Sequence, residues 1–178
     1  QKYYDQDFWR GTKNLDGGAL MNQSIHFIDI LMWLLGKPKK TQVLRARLGR
    51  NIETEDTSVM NILFQKNTIC SFSSTMLSSN KNYEGSITFL GEKGTIKIGG
   101  TSLNKIIDWN INGKEMNKIK KKQINFENKQ LYRSGHQYIY GEISKYLDKK
   151  KSDAILGEQG AKSINFIDNV YKKNKLIK

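Results

Sequence analysis

The chain has 178 residues, enough for one domain with an ordinary hydrophobic core. Its one cysteine, Cys70, excludes an intramolecular disulfide and a thiolate metal cluster, and points to a reducing, cytoplasmic compartment. The net charge of +13 is almost all lysine, with arginine only at positions 10, 45, 47, 50 and 133, so the forks that read base edges are scarce; nucleic-acid binding is disfavoured, and an anionic small molecule uses the same field as well.

The first segment, with Tyr3, Tyr4, Trp9, Arg10 and Thr12, reads as a loop. A helix follows, with Asp16 as its N-cap and Gly36 and Pro38 ending it after Leu35. Leu20, Phe27, Ile28, Leu31, Leu34 and Leu35 supply apolar surface on more than one side, which predicts a largely buried helix with Trp33 in the core. Its apolar run, Ile25 to Leu35, is interrupted by Asp29 and falls short of the roughly 20 residues a membrane span needs. No signal-like segment is present and the first residue is Gln, so the expectation is a mature fragment or a piece of a longer protein.

From Thr41 the pattern turns to strands. Val43 to Leu48 is the first. Thr57–Phe64 and Thr68–Leu77 form a hairpin, and Glu84–Leu90 pairs with Thr95–Ile98 across Gly91–Gly94. Ile106–Ile111 turns at Asn112-Gly113, and Lys118–Phe126 follows as a basic strand with a solvated face. Helices are expected over Gly135–Lys149 and Gly157–Lys173. The order gives an α+β fold: a predominantly antiparallel open sheet with helices on one face. There is neither a G-x-G-x-x-G nor a P-loop spacing.

On a continuous helix Asn22, His26, Asp29 and Trp33 share a narrow arc, with Asn22 and His26 at i and i+4. A carboxylate or amide beside one imidazole nitrogen fixes the tautomer and frees the other for proton transfer with a substrate hydroxyl. The competing reading is a core histidine satisfied by Asp29 and a backbone carbonyl.

The run Asp16-Gly17-Gly18-Ala19-Leu20-Met21-Asn22-Gln23-Ser24-Ile25-His26-Phe27-Ile28-Asp29, continuing to Gly36, resembles the signature helix of the Gfo/Idh/MocA oxidoreductases, which opens their C-terminal substrate domain. Ile52–Thr57, Gly91–Ile96 and Gly157–Ile164 are similar to further landmarks, so the resemblance covers essentially the whole chain. Tyr3-Tyr4-Asp5, Trp9-Arg10-Gly11-Thr12 and Met21-Asn22-Gln23 look like the WlbA/WbpB-like subgroup, which oxidises UDP-N-acetylglucosaminuronate for surface polysaccharide.

The resemblance implies an N-terminal Rossmann domain that binds NAD or NADP and carries a catalytic lysine. Neither lies in this sequence, so the chain alone is expected to be inactive. It implies His26 as the catalytic histidine. It further implies Tyr4, Arg10, Thr12, Asn22 and Gln23 as substrate-binding residues for a UDP-sugar or other anionic sugar. A homo-oligomer through the sheet face is also implied.

Two positions depart from the common pattern. Asn22 stands where many relatives have Asp; its amide can orient a sugar hydroxyl but cannot be a base, leaving His26 as the strong local proton acceptor. Ala19 replaces a frequent glycine.

Other readings of these positions stay open at this stage. Arg10 meets a carboxylate or phosphate, or Trp9 and the tyrosines merely anchor the loop. Gln23 holds sugar or caps the helix, and Asp29 supports structure near His26. His136 lacks the neighbours of a metal set but suits a cap or a substrate edge. Cys70 reads as inert packing. The alternative to an enzyme domain is a non-catalytic module that binds sugar nucleotide or only oligomerises.

Overall fold

Along β2 (Thr57–Phe64) the side chains alternate, with Ser58, Met60, Ile62 and Phe64 buried and the residues between them more exposed. That period of two assigns one face of a sheet to the core. In this computed structural model, residues 2–79, 82–100, 103, 105–115 and 128–177 are described. They fall into two units, Gln1–Ser79 with Ile155–Lys178, and Asn80–Ala154.

The first unit holds two helical pieces, α1 (Ala19–Asn22) and α2 (Ile25–Leu35). It also holds β1 (Pro38–Ala46), β2, β3 (Ile69–Thr75), α4 (Gly157–Lys173) and β8 (Leu176–Ile177). The strand order is β3-β2-β1-β8, antiparallel except for the parallel pairing of Arg45 and Ala46 with Leu176 and Ile177. The helix face of this unit buries Leu20, Ile28, Leu31, Ile167 and Val170. Cys70 lies half-buried on β3, where burial pushes its thiol pKa up, in keeping with a packing role.

The second unit contains β4 (Ile87–Gly91), β5 (Gly94–Gly99), β6 (Lys105–Ile111) and β7 (Lys114–Glu115) in sequential antiparallel order. Asn112 and Gly113, both at positive φ, make the β6–β7 turn. The helix α3 (Asn128–Leu147) completes it. Near its end Glu142 is buried, accepts from Lys145 Nζ at 2.7 Å and the Asp153 N–H at 2.7 Å, and so secures the chain leaving the helix.

The α+β class stands, with several revisions. The strands form two four-stranded sheets, because each set of neighbouring hairpins closes its own ladder. The expected single helix from Asp16 is broken at Gln23 and Ser24 and starts at Ala19, with Gly18 rather than Asp16 as N-cap. It is also less buried than its apolar content predicts: Trp33 is 81% exposed and Leu34 48% exposed. α3 starts upstream of Gly135, while α4 matches its expected bounds. The basic strand at Lys118–Phe126 lies outside the described residues. Among the described residues no helix is long and apolar enough to cross a membrane, and no cluster of His, Cys, Asp and Glu could hold a metal.

Candidate functional site

The loop before α1 is wound by its own polar groups. Thr12 Oγ1 donates to the Trp9 carbonyl at 2.6 Å, and the N–H groups of Asp16 and Gly17 both donate to the Thr12 carbonyl at 3.2 Å. Asp16 Oδ2 accepts from the Gly11 N–H at 2.7 Å, and Oδ1 accepts from the Asn22 side-chain amide. Asp16 thus ties the loop to the last residue of α1 instead of capping the helix. Glu53 closes the other side, donating its N–H to the Gly11 carbonyl at 2.9 Å and accepting from the Lys13 N–H at 2.8 Å.

The start of α1 is held from far away in sequence. Glu55 is fully buried, and its Oε1 accepts from the Leu20 N–H at 3.0 Å and from the Tyr171 hydroxyl at 2.7 Å. Its Oε2 accepts from Arg45 Nη1 at 3.1 Å. Arg45 Nη2 donates to the Asn174 carbonyl at 2.6 Å, and the guanidinium lies 4.4 Å from the Tyr171 ring centroid. The carboxylate satisfies one of the orphan N–H groups of α1 and pairs its buried charge with that of the arginine. Burial and the Glu55 charge raise the pKa of Tyr171, so its hydroxyl keeps its proton and remains a donor.

The helix α2 has two further anchors. Ser24 Oγ and Ser74 Oγ share a hydrogen bond of 2.7 Å, and Ser163 Oγ of α4 donates to Asp29 Oδ1 at 2.5 Å. Asp29 therefore serves the packing of α2 on α4, and Asn22 serves Asp16. Neither fixes the imidazole of His26, contrary to the arc expected on a continuous helix. His26 is exposed and has no hydrogen-bond partner among the described residues, so the buried-histidine reading fails as well.

Around the end of α1 the structure gathers Tyr3, Arg10 and Gln23. Gln23 Nε2 donates to the Tyr3 hydroxyl at 3.1 Å. The Arg10 guanidinium lies 4.2 Å from the Tyr3 ring centroid and 4.8 Å from that of Trp9, and its Nε donates to Asp7 Oδ2 at 2.6 Å. Tyr4 packs edge-on against Tyr3 with centroids 5.2 Å apart. Burial, with the nearby Asp16 charge, pushes the Tyr4 hydroxyl pKa up to about 12. The Thr12 hydroxyl is spent on the loop turn, whereas Arg10 and Gln23 stand beside one another through Tyr3. His136 is exposed on α3 in the other unit.

Sequence reading missed the grouping of Arg45, Glu55 and Tyr171. The run Ile52–Thr57 stood out only by resemblance, and nothing in the sequence couples position 55 to position 171. It also missed Asp7, whose signal was only its closeness to Arg10 along the chain.

Comparison with known proteins adds the family. The family model of an oxidoreductase family's C-terminal alpha/beta domain (GFO_IDH_MocA_C) matches residues 1–175. A solved structure of the WlbA dehydrogenase from Bordetella pertussis, in complex with NADH and UDP-GlcNAcA, is 36% identical with a TM-score of 0.86 over 96% of this chain and 49% of that chain. The WlbA dehydrogenase from Chromobacterium violaceum, with the same ligands, is 35% identical with a TM-score of 0.82 over 97% of this chain and 48% of that one. The biliverdin reductase of Synechocystis, 16% identical with a TM-score of 0.66 over 97% of this chain and 51% of that chain, shares the fold alone. The chain therefore spans about half the length of these relatives. No curated protein sequence matches it.

Proposed function

This chain belongs to the Gfo/Idh/MocA oxidoreductase family as its C-terminal alpha/beta domain, and we propose that it is the substrate-binding and oligomerisation domain of an NAD(P)-dependent sugar dehydrogenase. The substrate in this reading is a UDP-N-acetylhexosaminuronate oxidised at its 3-hydroxyl. The observation that carries it is the 35–36% identity, over almost the whole chain, to two dehydrogenases solved with NADH and UDP-GlcNAcA.

The chain carries neither a G-x-G-x-x-G nor a P-loop spacing, and we place the cofactor mainly on a further domain of the parent enzyme. The nicotinamide, when bound there, supplies the hydride acceptor. The residues of this chain hold the sugar and share the proton chemistry with the lysine that the resemblance implies on that domain. His26 takes the proton of the sugar hydroxyl, which suits an imidazole left uncommitted by its neighbours. Asn22 keeps its amide oxygen for a hydroxyl, since its nitrogen is given to Asp16. Gln23 orients a second sugar group, and Arg10 draws the anionic part of the ligand. Tyr4 lines the approach.

Oligomerisation fits the outward face of the first sheet. Leu44 lies opposite Val59 and Leu63 opposite Ile69; Leu44, Val59 and Ile69 are 65%, 42% and 77% exposed.

The reading is tested with UDP-GlcNAcA and NAD. The 178-residue chain is expected to bind the sugar nucleotide and form no NADH. The parent enzyme, expressed with its upstream coding sequence, is expected to form NADH, and His26→Asn is expected to lower kcat by about a hundred- to ten-thousandfold with little change in KM. Full kcat in that variant removes His26 from the chemistry. Binding without turnover in the intact parent would favour the non-catalytic module.

A further inference from the structure

The contact between Arg10 and Asp7 has a use beyond holding a loop. Arg10 is the cation that the proposed site offers to an anionic ligand, and its side chain is 19% exposed, whereas that of Asp7 is 44% exposed. The guanidinium is already framed: two aromatic centroids lie 4.2 and 4.8 Å away, so much of its rotamer freedom is spent before any ligand arrives. One of those rings, Tyr3, is bonded to Gln23 at the end of α1, which fixes the cation beside the amide expected to hold sugar. Into this prepared site the chain places its own carboxylate, at 2.6 Å from Nε.

We propose that Asp7 is a specificity-determining residue, a resident counter-anion on Arg10 that every incoming anion must displace or share. The proposal rests on the nucleotide-sugar reading of the site and refines it. Asp7 repels any carboxylate or phosphate that approaches the same guanidinium. An anion that has only Arg10 to bind, such as inorganic pyrophosphate, has nothing to offset that repulsion. A sugar nucleotide recovers it through further contacts at Asn22 and Gln23. Because Asp7 is exposed, its repulsion is small and screened by salt, which makes it a filter and not a block.

Two substitutions separate charge from orientation. Asp7→Asn keeps an oxygen to accept from Arg10 Nε and removes the charge, while Asp7→Ala removes both. Binding is followed by the NMR signal of the Arg10 Nε–H and by Trp9 fluorescence, with pyrophosphate and with UDP-GlcNAcA as separate probes. Asp7→Asn is expected to tighten pyrophosphate by about two- to fivefold at low salt and UDP-GlcNAcA by less, with both gains shrinking as salt rises. Asp7→Ala is expected to gain less, since the guanidinium loses its anchor. Unchanged or weaker pyrophosphate binding in Asp7→Asn, an equal gain for both ligands, or no detectable pyrophosphate binding in either protein, overturns the proposal. Tighter pyrophosphate binding with no binding of UDP-GlcNAcA would leave Asp7 in this role and overturn the nucleotide-sugar reading instead.

Discussion

Gly18 has φ +105, and a Cβ placed there would lie 2.4 Å from the Tyr171 hydroxyl and 3.1 Å from Glu55 Oε1. No side chain fits without pushing apart the bond that holds the start of α1. Gly18→Ala is therefore expected to cost about 1–3 kcal/mol, read as a lower urea midpoint with unchanged m. An unchanged midpoint would show that Tyr171 can move aside freely. At the same scale His26 differs in kind. It is exposed on α2, so its replacement is expected to leave stability where it was and act on catalysis alone. These two positions were unequally legible: His26 stood out by its motif, but the reason for Gly18 lies on α4, across the fold.

At the scale of elements, the polar ties decide how the site is held. Asp56, next to Glu55 at the start of β2, is also fully buried and turns to the loop before it. Its Oδ2 accepts from the N–H groups of Gly49 and Arg50 at 2.8 Å each, and from that of Leu48 at 3.1 Å. Burial by itself would raise its pKa, but the bonds from Gly49, Leu48 and Arg50, with the Thr57 hydroxyl, outweigh burial and hold it below its usual 3.8. A depressed folded pKa means that the stabilisation is present above the unfolded value and is lost as pH falls through the folded one. The domain is thus expected to lose urea resistance progressively below about pH 4. Asp56→Asn is expected to be weaker at neutral pH and to show a flatter acid limb. A wild-type midpoint that holds constant from neutral pH down to the unfolding limit would refute this. The break between α1 and α2 belongs here too. Periodicity carried one helix through Gln23 and Ser24, while the Ser24–Ser74 bond and the Asp16–Asn22 bond hold the two pieces separately.

At the scale of the whole molecule, the outward face of the first sheet bears on assembly. Leu44→Asp with Val59→Asp sets two charges directly opposite each other on that face. If the face joins two copies, the double variant is expected to halve the mass seen by light scattering while keeping its circular dichroism. An unchanged oligomer would put the interface elsewhere, and a wild-type monomer at high concentration would remove the oligomer. The sequence by itself determined the α+β class, the hairpin at Asn112-Gly113, the bounds of α4 and the family of the signature helix. Those rest on local periodicity, turn chemistry and a contiguous motif, which neighbouring residues encode together. The tertiary structure alone decided that Asp16 ties a loop, that Asp29 binds Ser163 and that Glu55 serves α1. It likewise decided that Trp33 lies on the surface. Each of these depends on which groups outside its own element reach a given side chain, and hydrogen-bond partners and burial are settled by how elements and loops pack, not by spacing along one of them.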